Sequence, residues 1–394
     1  MNRIYLSIFG AGLGHISRTY EIAARLDRDD ELLFSTFDEA FQFLKLAGEH
    51  VIRAPSIDLV WNEHGGFSGQ DTFVRFPLAI LSFMRQIGFE ASHLRRFKPD
   101  LVVSDSRLST IVAASMNELP VITILNQFKV LFPPRFRLSK VSRFYERIAG
   151  DVLGLLWTLS DQVLIPDLPP PYTICEANVS GSEVSNRARF VGFMSPRTVI
   201  DDIKLEKTVR ALQLDSRPLV FLQISGPALT KSHFSSVALR AVPEIAAKYN
   251  VVLSLGIPNG STEPRRMANG GWVFEWCPLK NELFELSSVL VARAGHSTIG
   301  QCIDAGKPAV LVPIYNHSEQ IWNAGKFNKL GLGLEVRSEQ LTKERLVDSI
   351  EQCIEDSAFQ ENSLKMKEIS RNYDGIAGAT RIIESYLERS VQKH

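Results

Sequence analysis

Near each end of the chain a glycine turn gathers residues able to do chemistry. The first holds Gly10, Gly12, Gly14 and His15; the second holds Arg293, Gly295, His296, Ser297 and Thr298. Each follows an apolar, strand-like run and opens an amphipathic pattern. Bare backbone N–H groups and the positive end of a helix then stand where phosphate or developing negative charge can be held. A neutral histidine such as His15 can take a proton from a hydroxyl, provided a partner fixes its tautomer and stabilises the charged form. Asp105 ends the run PDLVVSD at residues 99–105. It is expected at the same carboxyl edge of a sheet as His15, where doubly wound folds bind their ligands. The plainer alternative makes His15 a helix-start residue bonding backbone and Asp105 the N-cap of the next helix. In the second turn Gly295 would admit a phosphate to the backbone. Ser297 or Thr298 would cap the helix or bond an oxyanion, and Arg293 would neutralise a diphosphate.

The elements that must carry these turns are legible as an alternation. Short apolar runs at 4–9, 31–35, 101–104, 121–125 and 162–165, then at 219–224, 251–255, 272–274, 288–292 and 309–313, are separated by helical patterns. That is the rhythm of parallel sheets covered by helices. At 394 residues the chain exceeds the size at which a single core keeps growing, so two domains are expected. The run PDLPPP at 166–171 cannot be helix, because proline lacks the donor and fixes its own torsion. The linker is therefore placed on this run and the polar stretch that follows it to about residue 189. The division is an N-terminal domain over 1–185, a C-terminal domain over 186–375 and a closing amphipathic helix in 376–394.

Lys+Arg 44 against Asp+Glu 44 leaves no net charge, which argues against a general nucleic-acid binder. Cys175, Cys277, Cys302 and Cys353 are widely spaced, as thiols of a reducing cytoplasm would be. His50, His64, His93, His233 and His317 lack zinc-ligand spacing, and the pair Asp201 and Asp202 marks no metal site. The apolar run at the N-terminus is too short for a signal peptide. No stretch approaches the ~18 apolar residues needed to cross a bilayer, so membrane contact is expected only at the surface. Segments 73–97 and 128–157 interleave large apolar groups with arginine and lysine, which suits an anionic membrane surface or an amphiphilic ligand. For the first, an internal helix with a solvated basic face is the plainer reading. In the second, Pro133 and Pro134 leave apolar residues in a loop, which favours the functional one.

Around the second turn stand Trp276 and Pro278 upstream, Gln301 one helical turn in, and the run EQIWNA at 319–324. In this order and near this spacing the chain resembles the GT-B glycosyltransferases, in their UDP-glycosyltransferase and MurG-like branches. That resemblance implies an α/β architecture of two Rossmann-like, doubly wound parallel-sheet domains facing across a cleft, with the acceptor on the N-terminal side and the nucleotide sugar on the C-terminal side. It implies that Trp276 stacks on uracil, that Arg293 and Gly295, His296, Ser297 and Thr298 hold the diphosphate, and that Glu319 and Gln320 bind donor-sugar hydroxyls. Ser225 and Gly226 look like the phosphate-facing turn of this domain. Gln301 stands where the family usually has a glutamate on the ribose, and Leu279 replaces the glutamine that follows Trp-x-Pro in plant members; an amide can still bond ribose hydroxyls. In the family a His and an Asp at the positions of His15 and Asp105 form a catalytic dyad. Arg18 completes a G-x-G-H-x-x-R pattern with Gly12, Gly14 and His15 that is also seen in a MurG-like UDP-sugar hydrolase. Gln127 matches the acceptor-side turn of the MurG-like branch; Asn126, in place of its acid, is not assigned as a base.

The activity so implied is inverting, metal-independent glycosyl transfer from a UDP-sugar to a hydroxyl of an amphiphilic, lipid-linked or glycolipid acceptor. His15 would be the base, and no cofactor, metal or nucleic acid would take part. The location implied is cytoplasmic, peripheral on the inner membrane face. One alternative keeps the fold and turns it to UDP-sugar hydrolysis or 2-epimerisation. Another is a UDP-sugar-binding subunit without catalysis, against which the intact His15, Asp105, Glu319 and Gln320 set stands.

Overall fold

The computed structural model describes the chain apart from residues 11–13, 57–75, 130, 132–136, 138–139, 181–186, 196–199, 269 and 392–394. It divides into two compact units. One comprises the described residues up to 195 together with the tail from Tyr373; the other runs from 200 to Asn372.

In the first unit the elements are β1 (Arg3–Ile8), α1 (Gly14–Ala23), β2 (Glu31–Thr36), α2 (Asp38–Leu46), β3 (Val51–Arg53), α3 (Phe76–Phe97), β4 (Leu101–Asp105), α4 (Leu108–Ser115), β5 (Val121–Ile124), α5 (Lys140–Trp157), β6 (Gln162–Ile165), α6 (Glu176–Val179) and β7 (Ala188–Phe190). The sheet order is β3-β2-β1-β4-β5-β6-β7, and every pairing is parallel. The central strands are buried and largely apolar because helices cover both faces. On one face Ile87, Ala91 and Leu94 of α3 pack with Ile111 and Ala114 of α4 and Trp157 of α5. On the other, Ile16 and Ile22 of α1 and Leu44 of α2 pack with Ile376, Ile383 and Leu387 of the chain's last helix.

The strand order reverses between β1 and β4, the point where open α/β sheets leave a crevice at their carboxyl edge. Ile8 is paired in register with Asp105, so the last residue of β4 lies beside the exit of β1. The proline-rich run, expected as the start of the linker, lies within this unit, with Asp167 and Leu168 fully buried. The Asp167 carboxylate accepts the N–H groups of Leu168 at 2.7 Å and Cys175 at 2.8 Å, and β7 continues the sheet beyond it.

The second unit contains α7 (Asp202–Ala211), β8 (Leu219–Gln223), α8 (Ala228–Lys248), β9 (Asn250–Ser254), β10 (Arg265–Arg266), β11 (Trp272–Phe274), α9 (Lys280–Leu286), β12 (Val289–Ala292), α10 (His296–Ala305), β13 (Ala309–Leu311), α11 (Ser318–Lys329), β14 (Gly333–Glu335), α12 (Lys343–Glu355) and α13 (Ser357–Arg371). Its order is β10-β11-β9-β8-β12-β13-β14, parallel except at the edge pair β10 and β11. The reversal here falls between β8 and β12. The turns carrying Gly226 and Gly295 leave those two strands and are therefore neighbours. The tail helix α14 (Gly375–Val391) belongs to the first unit, packed with α1.

Candidate active site

Gly10 shows why the first turn needs glycine. A Cβ there would lie 2.2 Å from the Phe37 carbonyl oxygen, so a side chain cannot pass between the end of β1 and the start of α2. Beyond the turn, His15 sits in the first turn of α1, its ring edge-on to Phe9 at 5.6 Å between centroids. His15 Nδ1 lies 2.7 Å from Asp105 Oδ1. A carboxylate only accepts hydrogen bonds, so this contact places the proton on Nδ1 and leaves the Nε2 lone pair as the basic position. The imidazole is about a quarter exposed and Asp105 is fully buried.

Asp105 is not held by His15 alone. Arg18 donates to it twice, from Nε to Oδ2 at 2.6 Å and from Nη2 to Oδ1 at 2.5 Å, and the Thr19 hydroxyl donates to Oδ2 at 2.9 Å. Burial by itself would raise the Asp105 carboxyl. The opposing charge and hydrogen bonds of Arg18 and His15 outweigh it and hold the group well below the usual carboxylate range. Arg18, expected on the acceptor side, is thus turned inward; it is 5% exposed and its donors point at Asp105. Thr19 was not singled out in the sequence, although its spacing of four from His15 puts both on one helix face.

In the second unit the Gly226 backbone has φ +107°, a region disfavoured for side-chain-bearing residues, and a Cβ there would approach Thr230 Oγ1 at 3.1 Å and Ile314 Cδ1 at 3.3 Å. Gly295 is the N-cap of α10 and supplies no side-chain cap. A Cβ on it would meet nothing closer than Thr298 Oγ1 at 3.9 Å, so the space before this helix end is open. Neither Ser297 nor Thr298 is the cap, contrary to one expectation for them. They are half-buried in the first turn with His296, whose imidazole is buried. First-turn N–H groups of a helix lack intrahelical acceptors, which leaves them for an anion.

Arg293 corrects the other expectation. It is 4% exposed and bonds the carbonyls of Val312 at 3.0 Å, Pro313 at 3.3 Å and Thr230 at 2.5 Å. Its guanidinium stacks over Phe234, 4.8 Å from the ring centroid, and burial pushes it down to about 10. It fastens the ends of β12 and β13 to α8 and does not present its charge to the turn. A cation overlooked in the sequence lies one helical turn past Gly226. Lys231 donates to the Gly256 carbonyl, and burial lowers its amine below the ordinary value.

Trp276, 39% exposed after β11, offers an open aromatic face. Gln301 Oε1 is buried with no hydrogen-bond partner among the described residues, an acceptor available to a hydroxyl. Glu319 is in the first turn of α11. Gln320 is 8% exposed, and its Oε1 accepts the Ile314 N–H at 3.0 Å, leaving its amide NH2 for a ligand. Burial pushes the neighbouring His317 imidazole below its ordinary value against the pull of Glu319. Gln127 is half-buried after β5, and Gly12 lies outside the described residues.

Residues 229–378 match the glycosyltransferase family 28 C-terminal domain, and residues 2–134 match glycosyl transferase family 1. A Methanosarcina acetivorans protein described as an uncharacterized glycosyltransferase is 27% identical over 407 residues, covering 99% of both chains. The UDP-N-acetylglucosamine--N-acetylmuramyl-(pentapeptide) pyrophosphoryl-undecaprenol N-acetylglucosamine transferase of Clostridium botulinum is 23% identical over 304 residues, with 75% of this chain and 76% of that protein covered. Among solved structures, the spinosyn rhamnosyltransferase SpnG complexed with thymidine diphosphate superposes with a TM-score of 0.67 at 16% identity, over 98% of this chain and all of the other. The two seven-stranded α/β units and these relatives agree: the chain is a glycosyltransferase of the GT-B superfamily.

Proposed function

We propose that the protein moves a sugar, with inversion, from a nucleoside diphosphate sugar to a hydroxyl of an amphiphilic acceptor. The observation that carries this reading is the His15 Nδ1 contact with buried Asp105, which leaves Nε2 free to act as base. Nε2 takes the acceptor hydroxyl proton as that oxygen bonds to the anomeric carbon. The bond from that carbon to the phosphate oxygen breaks on the opposite side, and the nucleoside diphosphate leaves. Its charge is met by the open α10 N-terminus and by Lys231, which supplies the cation that Arg293 does not. This arrangement needs no divalent ion, and chelation is expected to leave the rate unchanged.

The donor proposed is a UDP-sugar, with Trp276 stacked on the base, Gln301 on the ribose, Ser225 and Gly226 beside the phosphates, and Glu319 with the Gln320 amide on the sugar. The C. botulinum relative acts with UDP-N-acetylglucosamine on a pyrophosphoryl-undecaprenol acceptor, and SpnG is seen with thymidine diphosphate, so both nucleotides belong in the test. An amphiphilic acceptor fits the surface of α5. Phe144, Ile148, Val152 and Leu155 form a stripe 45% to 64% exposed, beside exposed Arg143 and Arg147. Among the described residues no helix is long and apolar enough to cross a membrane. We therefore propose contact at the anionic inner leaflet, with the protein on its cytoplasmic side.

The test is nucleotide release over a panel of UDP- and dTDP-sugars, with and without a membrane lipid extract. Release that depends on the extract supports transfer to a lipid-phase acceptor. Release without it overturns transfer in favour of hydrolysis or epimerisation, and nucleotide-sugar binding with no release under any condition would mark a binding subunit.

A further inference from the structure

Arg18 is committed to Asp105 by two donors at 2.6 and 2.5 Å, yet its Nη2 also lies 3.0 Å from His15 Nδ1. With Nδ1 carrying the proton that Asp105 accepts, the third contact is not a hydrogen bond. It is a cation held against a ring whose protonation would add a second positive charge. Asp105 acting alone would place an uncompensated buried carboxylate behind His15, which strongly favours imidazolium, and an imidazolium cannot act as a base. Pairing the carboxylate with a guanidinium keeps its hydrogen-bonding geometry and removes most of its net charge.

We propose that Arg18 is a positioning residue that sets the protonation of the base: it clamps Asp105 so that the carboxylate fixes the Nδ1–H tautomer of His15 while its charge is neutralised, keeping Nε2 unprotonated. The other groups facing the ring are Phe9, edge-on from the end of β1, and the Thr19 hydroxyl, spent on Asp105 Oδ2. Asp38 and Glu39 open α2, whose Ala40 N–H donates to the Gly10 carbonyl at 3.3 Å. Among the described groups in contact with His15 and Asp105, Arg18 is the cation, so its loss leaves the Asp105 carboxylate without a guanidinium partner. The inference rests on His15 being the base, but its physical content is measurable without turnover.

The experiment is ¹⁵N NMR of histidine-labelled full-length protein, with the His15 signals assigned by their loss in H15Q and followed from pH 5 to 9. In the wild type the neutral ring is expected as the Nδ1–H tautomer. In R18M the midpoint should rise by about one pH unit, the low end of the shift that a charge at this range produces. In R18K, which keeps the cation, it should stay within about 0.3 unit of wild type, well under that shift. In D105N the cation outlives the carboxylate, so the midpoint should fall and the tautomer preference should be lost; this arm stands even where R18M does not fold. An R18M midpoint that coincides with that of the wild type would overturn the proposal whatever D105N shows; where R18M does not fold, a D105N midpoint no lower than the wild type's would overturn it. An active H15Q enzyme would overturn the base assignment without touching these midpoints, so the two failures are distinguishable.

Discussion

Asp105 receives donors from three side chains of α1 and is fully buried, so its ionised form is a structural element as much as a chemical one. Because its folded-state carboxyl is held below the usual range, the stability it contributes is fully present above about pH 4, the ordinary carboxylate value. That stability is lost as the pH falls further towards the folded value. Replacing Asp105 with Asn should cost about 3 to 5 kcal/mol at pH 7, as removing one partner of a buried pair does. The gap from wild type in urea titrations should narrow towards pH 3, and a gap independent of pH would contradict this account of the carboxylate. The thiols behave in the opposite sense. Burial pushes Cys277 up to about 11 and Cys302 and Cys353 up to about 12, so these three should resist iodoacetamide at pH 8 until the chain is unfolded.

At the scale of elements, three carbonyl bonds from Arg293 hold the second switch point in shape. Arg293→Met should lower stability by about 2 to 4 kcal/mol, the cost of orphaning several buried acceptors. Lys231→Met, by contrast, should leave unfolding nearly unchanged and raise the KM for donor; the reverse pattern would return the phosphate role to Arg293. These outcomes mark the limit of what the sequence makes legible. His15 and Asp105 can be paired from sequence because each follows a long apolar strand and such strands end at one edge. For Arg18 and Arg293 the sequence offers type and position alone, and nothing in the spacing tells whether a guanidinium turns to solvent or to carbonyls and carboxylates beneath it. The strands of two or three residues, β3, β7, β10 and β14, are too short to display alternation. The shortness of β7 hides from the sequence that the sheet continues past the proline-rich corner.

For the molecule as a whole, balanced charge means that no general field draws it to a membrane, so any attraction must be local. If α5 is the contact, Phe144→Glu with Ile148→Glu should weaken sedimentation with anionic vesicles at least tenfold and leave nucleotide binding intact; unaltered sedimentation would move the contact elsewhere. The division of labour between the units, base in the first and nucleotide in the second, is the account's central claim. It is tested most directly by the kinetics and donor affinity of His15→Gln, measured on the donor and acceptor that the release panel identifies. The account predicts a kcat lower by about 10² to 10⁴, the contribution typical of a general base, with the donor Kd changed by less than about twofold because the nucleotide is held by the other unit. Wild-type kcat in this variant, or a donor affinity that collapses with it, would contradict the claim.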